Sequence, residues 1–339
     1  MKKKRILIGV IVAVLILGGL AALTVYRGKW SRASDFVIED GVLTKYTGSA
    51  PYVSIPASVT KIGSFVFFNH EEIERVSMAD SVTNIGQAAF YGCKNLTTLK
   101  ISGAVTYIDD GAFGECDALA SFTIPASVQF IIEGAFYGSD SIASFSVENG
   151  NTVFTAEDGV LYTADHGALV AYPAAKDSAS CNISDNTEYI AAWAFYGAKN
   201  LHSVSIPDSV TCIGEEAFYG CALDSLTLPA GLTELGSGAF DGCAGITEVT
   251  LPGGIPEVPS RAFADCTSLK SVVLEEGIVG IAQLAFSGCT ALESLNIPAS
   301  IAAINDNSFD GCEKLTLHLL PDSLFTQFAE ELGIDYVTD

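Results

Sequence analysis

Basic residues are scarce in this 339-residue chain: 17 Lys and Arg stand against 40 Asp and Glu, for a formal net charge of −23. The deficit is uneven. Residues 1–32 hold seven of the basic residues (Lys2, Lys3, Lys4, Arg5, Arg27, Lys29 and Arg32) and no acid, so the remainder carries ten against 40, a formal −30. Such a domain repels phosphate backbones and anionic headgroups, which sets nucleic acid aside as a partner. Histidine is rarer still. The four (His70, His166, His202 and His318) are far apart and show no ligand spacing. No C-x-x-C pair occurs among the nine cysteines, which removes the usual zinc patterns. Nucleophile elbow, phosphate-cradling glycine loop and paired-carboxylate signature are also missing. The triplets "DDG" at Asp109–Gly111 and "EDG" at Glu157–Gly159 are too short to specify calcium and read as solvated turns. No enzyme, metal site or cofactor is expected.

Uncharged apolar runs long enough to cross a membrane are missing as well, with one exception. "ILIGVIVAVLILGGLAALTVY", from Ile6 to Tyr26, is 21 residues without a charge. As a helix it would be about 31 Å long, the depth of a bilayer core. Its length and the lack of a small-x-small site favour an uncleaved anchor over a signal peptide. Four basic residues before it and three after it favour an internal N-terminus only weakly. The repeat domain is therefore expected outside a cell membrane, or secreted if the segment is cleaved.

What the chain has in abundance is repetition. A Phe returns from Phe67 to Phe309 at steps of 23, 23, 23, 59, 23, 22, 23, 23 and 23 residues. Around it the pattern is roughly I-P-x-S-V-T-x-I-G-x-x-A-F-x-G-C. "LASFTIP" (Leu119–Pro125) alternates apolar and small polar residues, as a strand with one buried face does. "SVTNI" (Ser81–Ile85) reads as a second short strand, and "GQAAFYGC" as a tight turn. No unit this short can bury its own apolar face. Stacked units can, so the period predicts a solenoid in which each strand pairs with its equivalent in the next turn.

The ends and the long step are also readable. "DFVIEDGVLTKYTG" (Asp35–Gly48) predicts a starting hairpin, and "PDSLFTQFAEELG" (Pro321–Gly333) a closing helix with Leu324, Phe325, Phe328 and Leu332 on its covering face. "FTAEDGVL" (Phe154–Leu161) matches "FVIEDGVL" (Phe36–Leu43) at six of eight positions. The step of 59 thus holds a second starting module, expected as a surface hairpin against the stack. The layout is a basic tail over 1–5, an anchor or signal segment over 6–26, a linker over 27–35, a cap and first repeat run over 36–147, the insertion over 148–187, a second run over 188–320 and a C-terminal cap over 321–339.

These units resemble the BspA-like bacterial leucine-rich repeats, the 23-residue class with "IPxSVTxIGxxAFxGC", over about Phe36 to Pro321. The resemblance implies a right-handed, β-rich leucine-rich-repeat superhelix of short parallel strands. It also implies a surface-exposed, non-catalytic protein concerned with adhesion and protein binding.

Seven cysteines sit three residues after the repeating Phe, at 93, 116, 221, 243, 266, 289 and 312, where other units have His70, Ser139 and Ala198. A slot that takes Cys, Ser and Ala calls for a small side chain, and parallel rungs point their side chains the same way. Buried free thiols are expected rather than disulfides. Cys181 aligns with a core strand position, and Cys212 falls at an outward one, an expected exposed thiol.

The outward residue of the V-T-x-I strand is aromatic in three units, Tyr107, Phe130 and Tyr189. The residue after the repeating Phe is aromatic in the first half, including Tyr91, Tyr137 and Tyr196, and polar or small in the last four units. Exposed aromatics of this kind mark recognition sites. These six residues are the candidate binding surface, with an extracellular or host protein as the expected partner. Flanking Ser and Thr columns leave a glycan as the alternative, and a passive envelope scaffold is the third reading.

Overall fold

The computed structural model describes residues 29–338. The span expected over 6–26 lies outside them, and no helix among the described residues is long and apolar enough to cross a membrane.

With one exception, each repeat contributes a three- or four-residue strand and a two-residue strand. In one unit Ser121–Ile124 buries Phe122 and Ile124 and exposes Ser121 and Thr123. Pro125 then removes a donor and ends the strand. Phe130–Ile131 forms the short strand, and Phe136 follows on a turn. Pairing is parallel and in register at the repeat length: Ser121 faces Ser144 and Phe122 faces Phe145, while Phe130 faces Tyr107. Two ladders result, one of longer strands and one of short strands. The rung with the 22-residue step forms no strand over 225–228, so the long-strand ladder is interrupted there.

The repeating Phe rings stack through the core. Centroids of Phe67 and Phe90 lie 4.8 Å apart at 8°, and those of Phe90 and Phe113 5.4 Å apart at 2°. Aromatic pairs in cores also take tilted or edge-on arrangements. Here the register superimposes equivalent side chains at the strand spacing of about 4.8 Å, so the rings are nearly parallel. Burying each ring is worth about 1.5–3 kcal/mol before entropy. Two tyrosines join the stack. Tyr46 packs on Phe67 at 5.1 Å, and Tyr172 stacks on Phe195 at 4.8 Å.

The seven slot cysteines are buried and free. Each donates its thiol to the carbonyl of the repeating Phe one rung earlier, as Cys266 does to Phe240 at 3.2 Å and Cys289 to Phe263 at 3.0 Å. Ser139 makes the same bond, to Phe113 at 2.6 Å. The slot therefore selects a small donor. Desolvation pushes the Cys93 and Cys243 thiols up to about 12. Cys212 departs from expectation. It is half-buried, donates to Glu234 at 3.4 Å, and is pushed up to about 12 by burial and that carboxylate.

The insertion is not a surface hairpin. Phe154–Glu157, Val160–Thr163 and Ala168–Ala171 form consecutive antiparallel pairs, and the third strand then pairs in parallel with Tyr189–Ile190. Side chains of these strands join different cores. Val160, Tyr162, Leu169 and Tyr172 pack with the second run, while Phe154, Leu161 and Ala171 pack with the first. The insertion is a septum between two hydrophobic cores. Phe145 N–H donates to Gly159 O at 2.8 Å and Ala175 N–H to Ile142 O at 2.9 Å, fastening it to the first run.

The C-terminal helix, Phe325–Leu332, ends at Gly333 with φ +67°. It buries Ala329 and leans Phe325 and Phe328 on the core, whereas Leu324 is 87% exposed and Leu332 is also outward. The expected covering face is thus rotated away from those two leucines. A strand not anticipated from the sequence, Asp335–Thr338, follows and pairs in parallel with Thr316–Leu319, extending the long-strand ladder by one rung. At the other end Trp30 bridges to Tyr52, so the expected linker over 27–35 is partly attached to the fold.

Candidate binding surface

The turn before nine of the ten repeating Phe residues, all but Phe309, places the residue two positions earlier in the left-handed region. Gly111, Gly134 and Gly238 occupy that slot in three rungs. Phe65, Ala88, Trp193, Glu216, Arg261 and Leu284 occupy it elsewhere, with φ between +48° and +60°. The residue just after the repeating Phe lies on the same turn. Together the two slots build one face along the stack.

In the first two-thirds of the solenoid that face is aromatic. Phe65 meets Phe68 at 5.8 Å, and Phe68 stacks on Tyr91 at 5.3 Å and 12°. Tyr91 meets Tyr137 at 5.7 Å across a rung whose own residue is Gly114. A Cβ at Gly114 would lie 2.7 Å from Tyr91 Cδ2, so the rings approach only because that rung has no side chain. Tyr137 then touches Trp193 at 5.9 Å and Tyr196 at 6.0 Å, and Tyr196 stacks on Tyr219 at 4.7 Å. The belt is continuous past the septum. It ends where Asp241 replaces the aromatic and Arg261 grips it, Nη2 to Oδ2 at 2.7 Å.

Of the six residues singled out from the sequence, Tyr91, Tyr137 and Tyr196 are brought together in this belt. Tyr107, Phe130 and Tyr189 are arranged differently. Tyr107 and Phe130 are neighbours on the short-strand ladder, 6.3 Å apart, and Phe130 is 61% exposed at the last strand of its sheet. Tyr189 belongs to the next sheet and pairs with Ala168. The septum thus separates it from the other two in the ladder. It is tied back to the first run by a hydrogen bond from its hydroxyl to Glu133 Oε1 at 2.6 Å. Beside Tyr189 an open groove of about 550 Å³ is lined by Val153, Thr163, Asp165 and Glu188.

Sequence reasoning did not single out Phe65 or Trp193. Their signal was position: each lies two residues before a repeating Phe. It also passed over Tyr172, which lies one 23-residue period before Phe195.

Carboxylates accept from tyrosine hydroxyls along the belt and beside it. Tyr91 donates its hydroxyl to Glu115 at 2.5 Å. Burial and that carboxylate hold the phenol well above its ordinary range. Glu133 also accepts from Ala192 N–H at 3.3 Å. Tyr196 is pushed up to about 12, chiefly by burial. At the centre of the belt, where the Phe136 and Tyr172 layers meet, lies a cavity of about 30 Å³ lined by both residues and by Gly134, Tyr137, Trp193 and Tyr196. Tyr172 is 5% exposed, and its hydroxyl is a buried side-chain polar atom without a partner.

Histidines pair with acids, His70 with Glu72 at 2.7 Å and His166 with Glu157 at 3.4 Å. Among the described residues no three His, Cys, Asp or Glu side chains gather as a metal site.

Solved structures share this architecture. A leucine-rich repeat protein from Eubacterium ventriosum is 24% identical, with a TM-score of 0.69 over 80% of this chain and 88% of that one. The pneumococcal vaccine antigen PcpA is 19% identical, with a TM-score of 0.62 over 90% and 84%. A leucine rich cell surface protein from Faecalibacterium prausnitzii is 24% identical, with a TM-score of 0.52 over 90% and 93%. At these identities the likeness is one of fold. No curated protein matches the chain. The BspA type leucine rich repeat region, in six copies, matches residues 38–157 and 188–316. The chain belongs to the BspA-type leucine-rich repeat family.

Proposed function

We propose that this chain is a non-catalytic, surface-displayed adhesion or binding protein that recognises an extracellular protein through its aromatic residues. The observation that carries the reading is the restriction of solvent-facing aromatics to the rungs around and before the septum. Phe65, Phe68 and Phe130 are substantially exposed there, and ring contacts link Phe65 to Tyr219 without a gap. Apolar surface held open in this way is costly unless a partner covers it. Tyr and Trp supply large, stiff contact area at small entropic cost. Display on a membrane follows from the apolar run at 6–26 and the basic residues around it.

The test is capture of extracellular proteins by the full chain, by the triple variant Tyr107→Ser, Phe130→Ser, Tyr189→Ser and by the belt variant Phe68→Ser, Tyr91→Ser, Tyr196→Ser, after all three are shown to be folded. Loss of capture in either variant supports the reading. Equal capture by all three overturns it. Competition by soluble glycans, with proteins failing to compete, favours the carbohydrate alternative instead.

A further inference from the structure

We propose that the aromatic belt docks a basic segment of its protein partner, with arginine or lysine stems lying over the rings and their cationic heads meeting the belt's carboxylates. This rests on the binding reading above and names the chemistry of the partner.

Charge complementarity is the argument. Asp110, Glu115, Glu133, Glu215 and Glu216 lie on the turns that carry the belt. Among the described residues none of them forms an ion pair with Lys, Arg or His. Tyr91 donates to Glu115 and Tyr189 to Glu133, so these acids are held against the rings by neutral donors. Gln87 Nε2 donates to Asp110 at 3.1 Å. Asp110 Oδ1 also lies close to Gly134, beside Trp193. Aromatic faces and unneutralised carboxylates at one place are the two groups that recognise guanidinium and ammonium heads.

The molecule already makes such contacts with its own cations. Arg75 lies over the Tyr52 ring at 5.0 Å and Lys29 at 5.4 Å. Where the belt stops, Arg261 occupies the turn slot that holds Trp193 three rungs earlier, and it grips Asp241, which occupies the slot that holds Tyr219 one rung earlier. Arg261 thus closes one end of the belt with the pairing proposed for the remainder. The cavity between the Phe136 and Tyr172 layers opens among the belt residues Tyr137, Trp193 and Tyr196. Its wall includes Tyr172, whose hydroxyl lacks a partner. The formal −30 beyond residue 32 would steer a cationic segment toward the surface from a distance.

The test uses the full chain with a fluorescent nona-arginine peptide and its nona-citrulline counterpart, which keeps shape and hydrogen bonding but removes charge. One variant removes belt charge: Asp110→Asn, Glu115→Gln, Glu215→Gln, Glu216→Gln. A second removes equal charge elsewhere: Glu39→Gln, Glu257→Gln, Glu293→Gln, Glu313→Gln. The expected result is binding of the arginine peptide alone, weakened about tenfold or more by the belt variant and less than about twofold by the control. Equal weakening by the two variants overturns the proposal, because attraction to the acidic chain as a whole explains it. So does equal binding of the two peptides, or binding of neither. A chain that captures an extracellular protein through Tyr107, Phe130 and Tyr189 but ignores nona-arginine loses this inference and keeps the binding reading. One that captures neither loses both.

Discussion

The Tyr189 hydroxyl donates to Glu133 Oε1 at 2.6 Å, joining side chains 56 residues apart on opposite sides of the septum. The bond ties the second repeat run to the first at a place where the short-strand ladder is broken. Tyr189→Phe keeps the ring and removes the bond, and is expected to cost about 1–2 kcal/mol in denaturant unfolding at neutral pH. The same bond predicts a pH dependence. Burial, then Glu133, raises the Tyr189 phenol above its ordinary value of 10.0. The folded chain therefore keeps a proton that the unfolded chain releases near pH 10. This contribution is complete below pH 10 and is lost as pH rises through the folded value. Cys93 and Cys243, raised from 9.0 to about 12, add to the loss from about pH 9 upward. Stability should fall above pH 9, and Tyr189→Phe should flatten that fall above pH 10. An unchanged slope in the variant would show that the bond contributes nothing.

The cysteine slot makes a second prediction. Cys266 is fully buried and donates to Phe240 O. Cys266→Ala loses volume and donor together and is expected to cost about 1–2 kcal/mol. Cys266→Ser should cost less, because Ser139 already places a hydroxyl on the equivalent carbonyl at 2.6 Å. Thermal melts of the two variants decide it, and a serine variant less stable than the alanine one would refute the donor role. A thiol reagent should find at most one reactive group, Cys212, in the native chain at neutral pH, and nine after denaturation.

Gly134 gives the third. Its φ is +76°, and an added Cβ would lie 2.9 Å from Trp193 Cε3. Gly220 has φ +64° with no atom within 4 Å of its added Cβ. Gly220→Ala should therefore bear only the backbone penalty, about 1–2 kcal/mol. Gly134→Ala should bear that and displace the Trp193 ring as well. Fluorescence is the readout, since Trp30 and Trp193 are the two tryptophans of the chain. A shifted emission in Gly134→Ala and an unshifted one in Gly220→Ala is expected.

Much of this architecture was legible before any coordinates. The 23-residue period fixes which side chains superimpose, so the Phe stack, the buried thiols and the aromatic slot after each Phe could be read directly. Tyr46 and Tyr172 escaped because the period was traced with Phe alone, although a Tyr ring fills the same layer. Phe65 and Trp193 escaped because their slot is defined by a left-handed backbone, which residue type does not announce outside glycine. Leu324 and Leu332 fall off the covering face because the helix begins only at Phe325 and Leu332 is its last residue, next to the Gly333 cap. The strand at 335–338 then takes the open ladder edge.

By itself the sequence determined the repeating unit, its register and the character of each slot, because a solenoid repeats one local solution and contacts are made between equivalent positions. Only the tertiary structure decided that the insertion divides the core in two. Alternate faces of its strands are apolar on both sides, and which core each joins depends on where the strands are seated. It also decided that Tyr91, Tyr137, Trp193 and Tyr196 meet in one belt. Ring contact across rungs requires the absence of a side chain at Gly114 and the turn geometry that brings Trp193 beside Tyr137, and both are relations in space between residues distant in sequence.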